Sequence, residues 1–275
     1  MVDVLNVINT AYELYKEKWR SVVTAFAVVF VITFIFGVIN FVAQLPGNFI
    51  CDENSPFQTQ NTLLILVFCV SPAILQRTTE VLTSLISLLI TMAVLKPMDE
   101  IAAGKPVSSW TVHFPKQILN AILVILFRAI VLAVCFIPFM LTLIPVIPVL
   151  IASKNNFAFL AGGGAVLLLT LLLGFLLSLV LNFLLSFLEI EIVIGENGIL
   201  DAVSKSARLV INNFLDVLLF SLLWVFIGIG VGIVTFFIAC TICLLPIAWL
   251  IPAFIVQPIE LLSKVILWRR LKSLG

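Results

Sequence analysis

The sequence predicts an all-α, polytopic membrane helix bundle, with about six transmembrane helices in three hairpins and amphipathic helices at the interface. Composition is the first reason. Of 275 residues, 63% are hydrophobic and 11% charged, with mean hydropathy +1.28. A soluble domain is roughly half apolar and a quarter charged, so lipid has to be the solvent for these side chains. The second reason is a series of span-length apolar runs separated by short polar breaks. The third is that these runs sort the basic residues onto one side of the bilayer.

Residues 4–19 open the chain as a surface helix, which is not the pattern of a cleavable signal peptide. Residues 21–44 are long enough to span, and Pro46, Gly47 and an acidic, Lys-free loop to Asn61 follow. Residues 62–75 are apolar but short and interrupted by Ser71-Pro72, which predicts a re-entrant or outer-leaflet segment. The second span is then about 80–95. Met98 to Gly104 continues the helix into water, and Gly104-Lys105-Pro106 stops it. Residues 107–117 read as a third, degenerate surface segment carrying Trp110 and the single histidine, His113. Residues 118–137 span, and Pro138, Pro145 and Pro148 predict a kinked outer turn ending at Lys154. Residues 157–188 exceed what a bilayer needs, so this helix should tilt or project.

The longest polar interruption is 196–214, ENGILDAVSKSARLVINNF. At helical spacing Ile199, Val203, Ser206, Val210 and Phe214 fall on one face, and Asp201, Lys205, Arg208 and Asn212 on the other. This predicts a helix lying on the membrane surface and feeding the next span, about 217–237. Pro246 and Pro252 break the turn after it, and a last span runs to about Trp268.

Shifted by 195 positions, residues 4–19 lie on this stretch without a gap. Val4, Ile8, Ala11, Tyr15 and Trp19 match the apolar face, and Asn6, Thr10, Glu13 and Glu17 match the polar one. Leu5/Leu200, Leu14/Leu209 and Val22/Val217 are identical. The pattern predicts one membrane domain, 1–275, with an internal repeat (1–96 and 197–275) around a middle hairpin (107–190). Any two amphipathic helices ahead of spans would share the pattern without common origin. In this topology twelve Lys and Arg lie on the inner side, against Arg77 and Lys154 outside. Both termini are therefore expected in the cytoplasm, in the cell membrane. Trp19, Trp110, Trp268, Tyr12 and Tyr15 fall at the same inner interface.

Glu196-Asn197-Gly198, then Ala202, Ser206, Leu209 and an aromatic at Phe214 before a span, together with Ala11-Tyr12-Glu13-Leu14-Tyr15, form a loose motif. It resembles the membrane-domain family associated with glycerophosphoryl diester phosphodiesterases and its six-span bacterial and archaeal relatives. The resemblance covers nearly the whole chain as an arrangement of elements. It implies the fold and a cytoplasmic-membrane location. Some members of that family carry a separate soluble phosphodiesterase domain, for which this chain has no room, so no catalytic residues carry over.

Net charge is +1, which gives no overall field for nucleic acid. No metal spacing, phosphate loop, nucleophile elbow or cofactor motif is present. Gly162-Gly163-Gly164 lacks the Lys-Ser/Thr of a phosphate loop and reads as a turn or a close contact. Isolated at the interface, His113 reads as a polar anchor. The five cysteines read as apolar filler, with a disulfide between Cys51 and Cys240-x-x-Cys243 as the alternative. Thr170, Gly174, Ser178, Asn182 and Ser186 recur every four residues, a strip for close helix packing or, alternatively, the lining of a polar path.

Arg128 is the sharpest residue, a charge amid Leu-Val-Ile-Leu-Phe and Ala-Ile-Val-Leu. It lies about 18 Å along its helix from Lys116. At such depth an unpaired charge costs about 2.5–3.5 kcal/mol on insertion scales. Gln257 and Glu260, about 18 and 14 Å up from Arg269, are its expected partners, and Lys264 is the rival partner for Glu260. The candidate ligand-binding set is thus Arg128, Glu260, Gln257 and Asn182. No catalytic residue, metal or cofactor is expected. The leading expectation is a non-enzymatic scaffold or assembly partner, contacting the lipid bilayer and other membrane proteins. The alternative is a small-solute transporter or channel with a midplane site around Arg128. A weaker one is a lipid enzyme using Glu189, Glu191 and His113.

Overall fold

The computed structural model describes residues 2–50, 71–152, 157–240 and 250–274. No strand occurs among them. The elements are α1 (Val4–Ile50), α2 (Ser71–Ala102), α3 (Trp110–Ala152), α4 (Phe157–Leu184), α5 (Leu188–Val193), α6 (Ile199–Asn212), α7 (Phe214–Cys240), a π-helical turn (Pro252–Val256) and α8 (Gln257–Leu274). Four stretches among the described residues are long and apolar enough to cross a membrane: Val81–Ala102, Trp110–Pro145, Gly164–Val193 and Phe214–Ile238. A fifth is added if Val4–Arg20 and Val22–Phe36, bent by 75°, count as one. The chain is a helical membrane protein.

Its contacts divide it into two compact units, residues 1–121 with 215–275, and residues 122–214. In the first, α1, α2 and α8 pack on one another. Val7, Ala11, Val22 and Ala25 of α1, Met92, Leu95 and Met98 of α2, and Leu262, Leu267 and Leu271 of α8 are all buried. Asp99 accepts a hydrogen bond from Arg269 Nε at 2.5 Å and so ties α2 to α8. That bond holds the Arg269 guanidinium further above its ordinary pKa. Arg270 Nη2 donates to Asn6 Oδ1 at 2.8 Å, joining α8 to the start of α1.

Two local devices follow directly from sequence. Gly104 takes φ +66, Gly104 N–H donates to Ile101 O, and Lys105 N–H donates to Glu100 O. This is a left-handed glycine cap, and Pro106 beyond it prevents the helix from resuming. The second device is at the π turn. Phe254 O would normally accept from the N–H four residues on, but Pro258 has none. Tyr15 Oη donates to it instead, at 2.5 Å. The phenol of the Tyr15 motif therefore repairs a broken ladder in α8's approach.

The second unit contains α3 from Ile122 onward, α4, α5 and α6. Thr142 and Thr170 hydroxyls lie 3.2 Å apart. A Cβ added at Gly174 would come within 2.9 Å of Cys135 O. Thr170 and Gly174 of the small-residue strip thus lie against α3.

Three expectations change. Pro138, Pro145 and Pro148 do not make an outer turn; they lie inside α3. A lipid-depth helix tolerates them because neighbouring groups re-satisfy the freed backbone. Residues 107–117 are no separate surface segment, since α3 begins at Trp110 and runs on. The Gly162-Gly163-Gly164 run lies within α4 and makes no turn. The re-entrant segment at 62–75 lies outside the described residues, save that 71–75 open α2. The disulfide involving Cys51 and Cys243 falls outside them too.

The two surface helices break at the same aligned position. Lys18 leaves helical geometry at φ −112, ψ 17, and Asn213, 195 residues on, at φ −123, ψ 37. Val7 and Ala202, Ala11 and Ser206, and Val22 and Val217 are buried in matching pairs, while Leu5 and Leu200 are both exposed. The buried line is narrower than the expected face. In α6 it is Ala202, Ser206 and Val210, whereas Phe214, like Trp19, is half exposed. Only small side chains permit so close an approach.

Candidate functional site

The site is built where α4 ends. The helix stops at Leu184, residues 185–187 turn, and the six-residue α5 presents Glu189 and Glu191, both buried. Ser206 of α6 holds this turn. It is fully buried, its Oγ donates to Leu184 O at 2.9 Å, and it accepts from Phe187 N–H at 3.3 Å. One hydroxyl thereby satisfies two backbone groups that a helix end leaves open.

Two residues past Phe187, Glu189 Oε1 accepts a hydrogen bond from Arg128 Nη2 and forms an ion pair with it. The glutamate side chain is 11% exposed and the arginine 43%. The carboxylate that meets Arg128 is therefore Glu189, in its own unit. This corrects the expected Gln257/Glu260 partner face, which belongs to α8 in the first unit. Glu189 lies just beyond the break at 185–187, on the same apolar stretch as α4, where it is buried and within reach of the long Arg128 side chain.

Glu191 anchors a second network. Asn197 Nδ2 donates to its Oε2 at 2.9 Å and to its backbone O at 3.2 Å. Lys205 Nζ donates to Asn197 Oδ1 in turn. Glu196 adopts φ +52 to make this bend. Gly195 sits against the network so closely that a Cβ would lie 2.5 Å from Glu191 O and 2.7 Å from its Oε2. Glu196-Asn197-Gly198 is thus more than a helix break: its asparagine bridges a buried carboxylate and a lysine.

Asn182 is exposed, and its Nδ2 donates back to Ser178 O at 2.9 Å. Cys135 and Gly174 face each other; Arg128 is seven residues from the first and Asn182 eight from the second, about 10 and 12 Å along the two antiparallel helices. Asn182 and Arg128 therefore lie at nearly one level. In the first unit Gln257 opens α8 immediately after the π turn and is exposed. His113 Nε2 lies 2.8 Å from Ser108 Oγ, and Ser108 N–H donates to Glu100 Oε2 at 2.5 Å. His113 lies in the first turn of α3 and reaches back to the loop before it. Among the described residues no group of three His, Cys, Asp or Glu could hold a metal ion.

Chemically, the arrangement in the second unit is a matched ion pair and a carboxylate–amide–ammonium chain, both fixed to one turn. Glu189 was legible only as a titratable residue near the interface. The spacing Glu189-x-Glu191 just before a glycine break was the available signal for two inward carboxylates. Comparison with family models, curated proteins and solved structures finds no match to this chain.

Proposed function

We propose that this chain is a six-span membrane scaffold or assembly partner, non-enzymatic, with both termini cytoplasmic and its spans in three hairpins. The observation that carries the reading is the Arg128–Glu189 pair. A lone arginine at bilayer depth marks a solute or ion path by default. An arginine matched by a buried carboxylate on the neighbouring turn is a means of joining helices. Glu191, the second buried acid, is likewise engaged by Asn197. The remaining exposed surface of α3 and α4 is overwhelmingly apolar and suits lipid or other helices. On this reading the likeness to the phosphodiesterase-associated membrane domains concerns fold alone. The matched breaks at Lys18 and Asn213 support an internal repeat.

The function is tested in proteoliposomes. Purified protein should give no protein-dependent flux of potassium, chloride or inorganic phosphate. A saturable flux that Arg128→Leu abolishes would replace the scaffold with a small-solute path. Topology is tested separately, on the inner excess of basic residues. Single cysteines at Lys105 and Arg208 should resist an impermeant thiol reagent in intact cells, and one at Asn54 should react. Labelling of the first two from outside would refute the orientation.

A further inference from the structure

We propose that α4 pairs with α4 of a second copy of this chain, side by side in the membrane, through a seam ending at Asn182. The proposal rests on the assembly reading and names one partner for it. With Gly174 buried and Thr170 and Ser178 half-buried, α4 has one packed line and two exposed flanks. One flank reads Leu168, Leu172, Phe175, Leu179, Asn182, at spacings of four, three, four and three. The four apolar residues are 68%, 49%, 54% and 52% exposed. The other flank, Leu169, Leu173, Leu176 and Val180, is apolar throughout and equally exposed.

Apolar flanks need no cover in a bilayer, because lipid tails are as apolar as leucine. Asn182 differs. Its amide nitrogen is used within α4, but its carbonyl oxygen has no donor among the described residues. It lies near the level of Arg128, where acyl chains offer no hydrogen bond. A 3.5-residue apolar repeat with a single asparagine is the pattern that sets register between paired helices. A carboxamide carries both donor and acceptor, so two copies related by a two-fold axis along the membrane normal satisfy each other. Copies sharing one topology present α4 in parallel, which brings the two asparagines to the same depth. This complementarity favours the same chain as partner.

Cross-linking of the full chain in native membranes tests this. Native cysteines other than the buried Cys135 are replaced by alanine, and single cysteines are placed on either flank. Under copper phenanthroline, Leu172→Cys and Leu179→Cys should give covalent dimers, while Leu173→Cys and Val180→Cys should not. Asn182→Leu should lower the dimerisation constant in lipid about tenfold, ~1.4 kcal/mol, and Asn182→Gln should retain most of it. Equal cross-linking on both flanks, a constant unmoved by Asn182→Leu, or cross-links only to another polypeptide would overturn the proposal. Each of those leaves the flux experiment untouched, so this contact and the scaffold reading fail separately.

Discussion

Arg128→Leu is expected to destabilise the folded protein in detergent by about 2–3 kcal/mol, less than the ~3–5 kcal/mol of a fully buried pair because the guanidinium is half exposed. The loss comes less from the missing attraction than from what remains. Glu189 is 8% exposed, and without the guanidinium its carboxylate stays buried with no opposite charge. The reverse variant, Glu189→Leu, should cost less. Arg128 is 43% exposed and has a long stem with which to seek the interface. The double variant Arg128→Leu/Glu189→Leu should recover much of the loss, since two well-packed apolar residues often replace such a pair at little or no cost. Denaturation of the four proteins in one detergent gives the coupling energy directly. If the double variant loses as much as the two singles added together, the residues are not energetic partners. Arg128→Leu with Glu260→Leu is the informative control: it should be no better than Arg128→Leu alone.

Arg128 was visible in the sequence because a charge inside an apolar run stands out, whatever its role. Its partner was not, because helical periodicity describes one helix and does not carry across a break such as that at 185–187. Glu189 follows 28 residues of α4 and the break at 185–187, and which residue of α5 meets Arg128 is seen only in the packed structure. The apolar runs were legible as membrane spans for the converse reason. Hydrocarbon imposes one length and one polarity on whatever crosses it. Prolines misled in α3, where rules for breaking helices in water do not transfer to lipid. The narrow buried line of α6 was also hidden. Periodicity located Ser206 and Val210 on the inward side, but the closeness of the approach, which selects Ala202 over Phe214, depends on the neighbouring turn. Tyr15 was read as part of an aromatic belt, and its bond to Phe254 follows from Pro258, some 240 residues away in sequence.

Ser206→Ala is expected to cost about 2–4 kcal/mol, from orphaning two backbone groups at about 1–3 kcal/mol each when buried. Leu184 O loses its donor, and Phe187 N–H, on a residue 1% exposed, loses its acceptor. Ser204→Ala, on the exposed side of the same helix, should stay within about 0.5 kcal/mol. Equal losses at the two serines would mean that the hydroxyl's two hydrogen bonds contribute nothing. The Ser206 loss should also be coupled to the ion pair. Phe187 is two residues from Glu189, so loosening the turn frees the carboxylate that Arg128 meets. Ser206→Ala and Arg128→Leu together should therefore cost less than their sum, because the first already surrenders part of what the second removes. Strict additivity would show that the turn is held independently of the pair. Limited proteolysis gives a second readout: cleavage within 185–198 should rise in Ser206→Ala and in Arg128→Leu, and not in Ser204→Ala.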